Sequence, residues 1–174
     1  CSDDMWAHQY VQMSNQIACE IFPGKPVFRT NGADAHIFGL EPNFGCCTAN
    51  FGQGWPKFAL SAFLHRGDTV VSAVPVPSEL TDGGIHIVLE TDYPFENRLV
   101  YTVETDRPFT LVVRAPSFAE NLTVNGEAPS GELRFSFRAG DRRTLELRFG
   151  VTPRFASRPH GLSAVRCGSL VFSV

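Results

Sequence analysis

Runs of like charge are missing from this 174-residue sequence: no five charges of one sign stand together, and 15 Lys and Arg against 18 Asp and Glu leave a formal charge of −3. A surface for nucleic acid, which needs clustered cations to displace counterions, is therefore not expected. Also missing is any apolar window near the roughly 18 to 20 residues that a membrane helix needs, and no basic-then-apolar leader is present, so no membrane partner is expected. Internal repeats and low-complexity stretches are absent as well. Cysteine is scarce and odd in number, five in all, in a chain long enough to build a core without disulfide staples. The adjacent pair Cys46 and Cys47 could join only through a strained ring and reads as two thiols. Thiols suit a reducing compartment or a metal, which favours a cytoplasmic home and leaves secretion open if a leader precedes Cys1.

What is present is 43% hydrophobic residues, enough for a globular core. The texture changes along the chain. Up to about His65 aromatics, amides and glycines mix without long alternation, and Trp55, Phe58, Ala59, Ala62 and Phe63 recur at helical spacing, with Pro56 tolerable near a helix start. One helix is expected there. Beyond Arg66-Gly-Asp68 come short runs of period two: Thr69 to Val76, Gly84 to Glu90, Arg98 to Glu104, Phe109 to Arg114, Leu122 to Val124, Glu132 to Arg138 and Thr144 to Phe149. Leu133, Phe135 and Phe137, and again Leu145, Leu147 and Phe149, alternate with charged residues as half-buried strands do. Asn125-Gly126 is a two-residue turn signal. Short strands at this spacing indicate an antiparallel β-sandwich. The division expected is residues 1–66 and residues 67–174, the first part too short and irregular to be a domain by itself and so suggestive of a longer protein.

Chemistry concentrates in Gly39 to Phe58. Glycines at 45, 52 and 54 permit tight turns, and Cys46 and Cys47 sit just before an expected helix start, where thiolate charge is favoured. The alternative is a pair of buried small apolar groups. Two cysteines fall short of the four ligands of a structural zinc site; His36, Glu41, Cys19 and His8 are nearby, none at diagnostic spacing.

Asp4-Met-Trp-Ala-His-Gln-Tyr10, Asn15-Gln-Ile17, and above all Gly45-Cys-Cys-Thr-Ala-Asn50 followed by Gly52-Gln-Gly-Trp-Pro-Lys-Phe58 closely resemble the β-L-arabinofuranosidase family, glycoside hydrolase family 127, and its relatives. The resemblance covers most of residues 2 to 80 and weakens through the strand-rich remainder. It implies that residues 1–66 are the carboxy-terminal end of an (α/α)6 barrel catalytic domain and that residues 67–174 are the β-sandwich following it. It further implies a retaining hydrolase acting on L-arabinofuranosides or related plant-type glycans. Cys46 would be the nucleophile and a zinc ligand, and Cys47 a second ligand. Asn50 matches the family asparagine after the pair, as a structural or substrate-contacting residue, and Tyr10 aligns loosely as a sugar contact. The family's Glu-x-Cys zinc ligands and its acid/base glutamate would belong to an upstream barrel segment, so this chain alone is expected to be inactive. A homo-oligomer is left open. Two competing readings are a non-catalytic carbohydrate-binding or structural β-sandwich module, with Tyr93, Phe95 and Tyr101 as a sugar-stacking face, and a redox or metal-storage protein using the vicinal thiols.

Overall fold

The computed structural model describes residues 8–9, 38–39, 45–158, 161 and 163–172. In chain order the strands and helices are β1 (His8–Gln9), β2 (Phe38–Gly39), α1 (Gly45–Phe51), α2 (Gly54–Leu60), β3 (Phe63–Arg66), β4 (Thr69–Ser72), β5 (Ser78–Asp82), β6 (Ile85–Glu90), β7 (Arg98–Thr105), β8 (Phe109–Val113), β9 (Glu120–Val124), β10 (Arg134–Phe137), β11 (Arg142–Gly150), β12 (Arg154–Ser157), β13 (Ser163–Cys167) and β14 (Leu170–Phe172). The protein is mostly β. It divides into two compact units, residues 1–56 with 171–174, and residues 57–170. Among the described residues no helix is long and apolar enough to cross a membrane.

The second unit holds a β-sandwich. One sheet has four strands in the order β10-β8-β4-β3, the other five in the order β5-β6-β7-β11-β9. Strict alternation makes the two inner faces. Along β7 every second residue is buried, Leu99, Tyr101, Val103 and Thr105, and β6 buries Ile85, Ile87 and Leu89. β11 contributes Leu145, Leu147 and Phe149, and the four-stranded sheet answers with Val70, Phe109, Leu111, Val113 and Phe137. A period of two puts these side chains on one face of each sheet, so the two apolar faces close on each other and leave charge outside. Outside, cross-strand partners are often ion pairs: Arg142 opposite Glu104 at 2.9 Å, and Arg98 to Glu146 at 2.9 Å. Two arginine guanidiniums, Arg98 and Arg148, hydrogen-bond the Glu146 carboxylate and hold it below the usual carboxylate range.

The expected sandwich is present, with one departure from a purely antiparallel scheme: β4 pairs parallel to β8, Thr69 beside Thr110 through Ser72 beside Val113. The reason is topological. β4 and β8 lie in one sheet while β5, β6 and β7, which come between them in sequence, form a meander in the other. The expected helix through Phe63 is also shorter than its spacing suggests. α2 ends at Leu60, the Ser61 hydroxyl donates to the Lys57 carbonyl at 2.8 Å, and Phe63 begins β3 opposite Ser72. Phe63 packs against the sandwich core, so tertiary packing overrides the helical period. The composition change at Arg66-Gly-Asp68 coincides with the β3–β4 turn, where Gly67 takes φ +59°. Asn125 and Gly126 both take positive φ, 50° and 86°, as a two-residue hairpin turn requires.

Tyr101 is the polar exception at the centre. Its ring is fully buried on β7, and its hydroxyl lies 2.8 Å from the Ser72 hydroxyl on β4, one sheet hydrogen-bonded to the other through the core. This removes Tyr101 from any sugar-stacking surface. Of its expected companions there, Tyr93 packs partly on the core and donates to Ser169 at 2.8 Å, and Phe95 stands 84% exposed. Burial pushes the Tyr101 phenol up to about 12, the Ser72 hydrogen bond drawing it part of the way back.

Two outcomes are expected. Tyr101→Phe should cost about 1 to 3 kcal/mol in urea unfolding, because it strands the buried Ser72 hydroxyl, and adding Ser72→Ala should recover part of that loss. Additive single-mutant costs would show that the bond contributes nothing. Because the unfolded phenol ionises near pH 10 and the folded one near 12, the tyrosine's contribution is complete below pH 10 and is lost as pH rises towards 12. Wild type should therefore lose about 3 kcal/mol more than Tyr101→Phe between those limits. Parallel stability curves for the two proteins from pH 9 to 12 would contradict it.

Candidate functional site

α1 is seven residues long and begins at Gly45, which places Cys46 in its first turn. Cys46 is exposed there, so it is not a buried apolar group. Four residues on, the Asn50 side-chain amide donates to the Cys46 carbonyl at 2.6 Å, and the Gln53 amide donates to Asn50 Oδ1 at 2.7 Å. These two amides tie the first turn of α1 to its end and to the turn into α2, where the Gln53 backbone N–H also donates to the Asn50 carbonyl at 3.1 Å, one of the last-turn carbonyls that lack an intrahelical donor. The geometry thus links Asn50 to Cys46 through the backbone of a single helical turn. Gln53 was not singled out by the motif, although its place between Gly52 and Gly54 marks a turn whose backbone needs a polar partner.

Cys47 belongs to the same helix, and its side chain lies outside the described residues, as do Tyr10, Cys19, His36 and Glu41. His8 is in β1, paired with Gly39, its side chain likewise outside them. The remaining described cysteine, Cys167, is half-buried on β13. Among the described residues no group of three or more His, Cys, Asp or Glu side chains could hold a metal ion. The described side chains therefore do not by themselves fit a zinc site; Cys46 is the single member of the expected ligand set among them. Chemically, what they present is an accessible thiol at a helix start with its turn fixed by two amides. α2 exposes its apolar residues, Trp55 at 67% and Leu60 at 81%.

No family model and no curated protein matches the chain. Solved structures do. The chain is similar to a GH127 β-L-arabinofuranosidase from Geobacillus stearothermophilus T6, at 23% identity and a TM-score of 0.52, over 89% of this chain and 28% of that one. It is similar to a second GH127 β-arabinofuranosidase at 23% identity and a TM-score of 0.56, over 72% of this chain and 25% of the other. A structure described as a glycoside hydrolase matches at 20% identity with a TM-score of 0.65, over 90% and 28% of the two chains. The chain thus spans about a quarter of the length of these three structures. At these identities the likeness is one of fold, and the fold is that of a region of the GH127-like glycoside hydrolases.

Proposed function

We propose that this chain is part of a retaining glycoside hydrolase, with Cys46 as its nucleophile and an L-arabinofuranoside or related plant-type glycan as its substrate. The observation that carries this reading is the exposed Cys46 thiol in the first turn of α1, within the Gly45-Cys-Cys-Thr-Ala-Asn50 motif of a chain with a GH127-like fold. In the proposed reaction the thiolate sulfur bonds to the anomeric carbon as the glycosidic C–O bond breaks. An acid on a segment outside this chain protonates the leaving oxygen. Water then displaces the sulfur, releasing the sugar and restoring the thiolate. Asn50 fixes the turn that carries Cys46, and Tyr10 contacts the sugar. A zinc ion held by Cys46, Cys47 and ligands outside this chain would keep the thiol deprotonated at neutral pH. In the same proposal the residues before the sandwich complete an (α/α)6 barrel, which gives the exposed apolar side chains of α2 a place to pack.

A second reading, a non-catalytic carbohydrate-binding or structural module, takes its support from a cleft in the sandwich unit far along the chain from Cys46, lined by Glu120 at the start of β9 and Arg154 at the start of β12.

In the intact protein, Cys46→Ser should lower turnover of a nitrophenyl β-L-arabinofuranoside by about a thousandfold or more, with circular dichroism unchanged. Cys47→Ser should reduce bound zinc measured by atomic emission. Undiminished turnover by the Cys46→Ser protein would sink the nucleophile assignment.

A further inference from the structure

Among the described residues two pairs of arginines face each other across strand ladders. Arg98 on β7 stands opposite Arg148 on β11, and Glu146 hydrogen-bonds both. Like charges directly opposite in a ladder repel, and one carboxylate placed between them converts that repulsion into attraction. The second pair is Arg154 on β12 opposite Arg166 on β13. Here no carboxylate intervenes: among the described residues neither arginine belongs to an ion pair or a side-chain hydrogen bond. Arg166 Nε is in addition shielded from solvent without a hydrogen-bond partner. Arg98 Nε is shielded in the same way, but its guanidinium is already paired with Glu146 through Nη2. A paired cation site without its anion is what the second ladder presents.

Arg154 lines a cleft of about 420 Å³ together with Ser117, Phe118, Glu120, Thr152 and Gly168. The cleft is held open by specific contacts. Gly168 takes φ +61°, and a Cβ there would come within 2.9 Å of the Phe118 ring, so the β13–β14 turn approaches Phe118 as closely as only glycine allows. The next residue, Ser169, accepts the hydroxyl hydrogen of Tyr93 at 2.8 Å, which ties that turn to the sandwich. Across the cleft the Thr152 hydroxyl donates to Glu120 Oε2 at 2.8 Å and orients that carboxylate.

We infer that this cleft binds a carboxylate-bearing sugar, a uronic-acid residue of a glycan. The sugar carboxylate meets the planar guanidinium of Arg154, which lines the cleft, and Arg166, directly opposite Arg154 on the ladder and outside the cleft wall, adds its charge beside it. Glu120 accepts from ring hydroxyls, Ser117 and Thr152 add hydroxyl partners, and the apolar face of the sugar ring lies on Phe118. Glu120 also decides against the other anions. A compact phosphate would bring its charge to Glu120 and has no apolar ring face to lay on Phe118, and an acidic peptide would offer neither the hydroxyls nor the ring. That the anion is a saccharide rests on the glycoside hydrolase reading; that an anion binds rests on the arginines alone.

The test is calorimetric titration of the chain with trigalacturonate, neutral galactotriose, inorganic phosphate and hexaglutamate in turn. Trigalacturonate should bind saturably, galactotriose about tenfold more weakly or worse, and Arg154→Gln should weaken trigalacturonate about tenfold. Without ligand, Arg154→Gln should melt no lower than wild type, because it relieves a like-charge pair, while losing the melting shift that trigalacturonate produces. No saturable binding of trigalacturonate would overturn the inference. So would galactotriose binding equally well, phosphate or hexaglutamate binding as tightly, or an unchanged affinity in Arg154→Gln. Cys46→Ser should leave this binding intact, so loss of the nucleophile assignment and loss of the uronate site register in different measurements.

Discussion

The hydrogen bond between Tyr101 and Ser72 is the constraint around which the sandwich is organised. An apolar interface between two sheets is tolerant: side chains of similar volume slide and repack at modest cost. A buried hydroxyl pair is not, since each hydroxyl loses water on burial and is satisfied only when the other sits in one place. With Tyr101 in the middle of β7 and Ser72 at the end of β4, the bond fixes which residue of one sheet lies over which residue of the other. The registers of β6 and β11 follow, because both pair with β7, and the register of β8 follows from β4.

Charge obeys a comparable logic on the outer surfaces. The five-stranded sheet has cations opposite anions, as at Arg142 and Glu104, and where two arginines meet it places Glu146 between them. The short ladder of β12 and β13 breaks this rule, and it does so beside a cleft whose walls depend on a glycine at positive φ and on a tyrosine reaching over to a serine. A local rule obeyed elsewhere and broken at a concave surface is the usual mark of a place kept for something that arrives later.

The fold was legible where the sequence alternates. Leu145, Leu147 and Phe149 lie on the buried face as the period of two requires, and the Asn125-Gly126 turn adopts the conformation its residues favour. β5 was not foreseen, because Ser78-Glu-Leu-Thr-Asp82 is short of apolar residues; the signal lay in Gly83-Gly84, both at positive φ, which close a hairpin onto β6. The helical period overruns the end of α2 because Ala62 and Phe63 fit a helical period and a strand edge equally well, and only the core against which Phe63 packs decides between them. At the candidate site the Cys46 position was legible from the motif. The Asn50 and Gln53 bracing was not, because amide partners depend on how the α1–α2 turn is closed. The arginine ladder was invisible for a related reason: Arg154 and Arg166 become neighbours through strand pairing, which carries no local signature in either segment.

The parallel pairing of β4 with β8 bears on how the chain reaches this structure. β4 is complete early in the sequence, yet its partner arrives only after the whole β5–β7 meander has been laid down in the opposite sheet. Until then one side of β4 is an open edge beside an apolar face, the kind of surface that recruits strands from other chains. Closure of the four-stranded sheet therefore gathers contacts distant in sequence and is expected to be the slow step of folding. A chain ending before Phe109 would hold β3 and β4 with the β8 side of β4 unpaired, the edge along which association with other chains is expected.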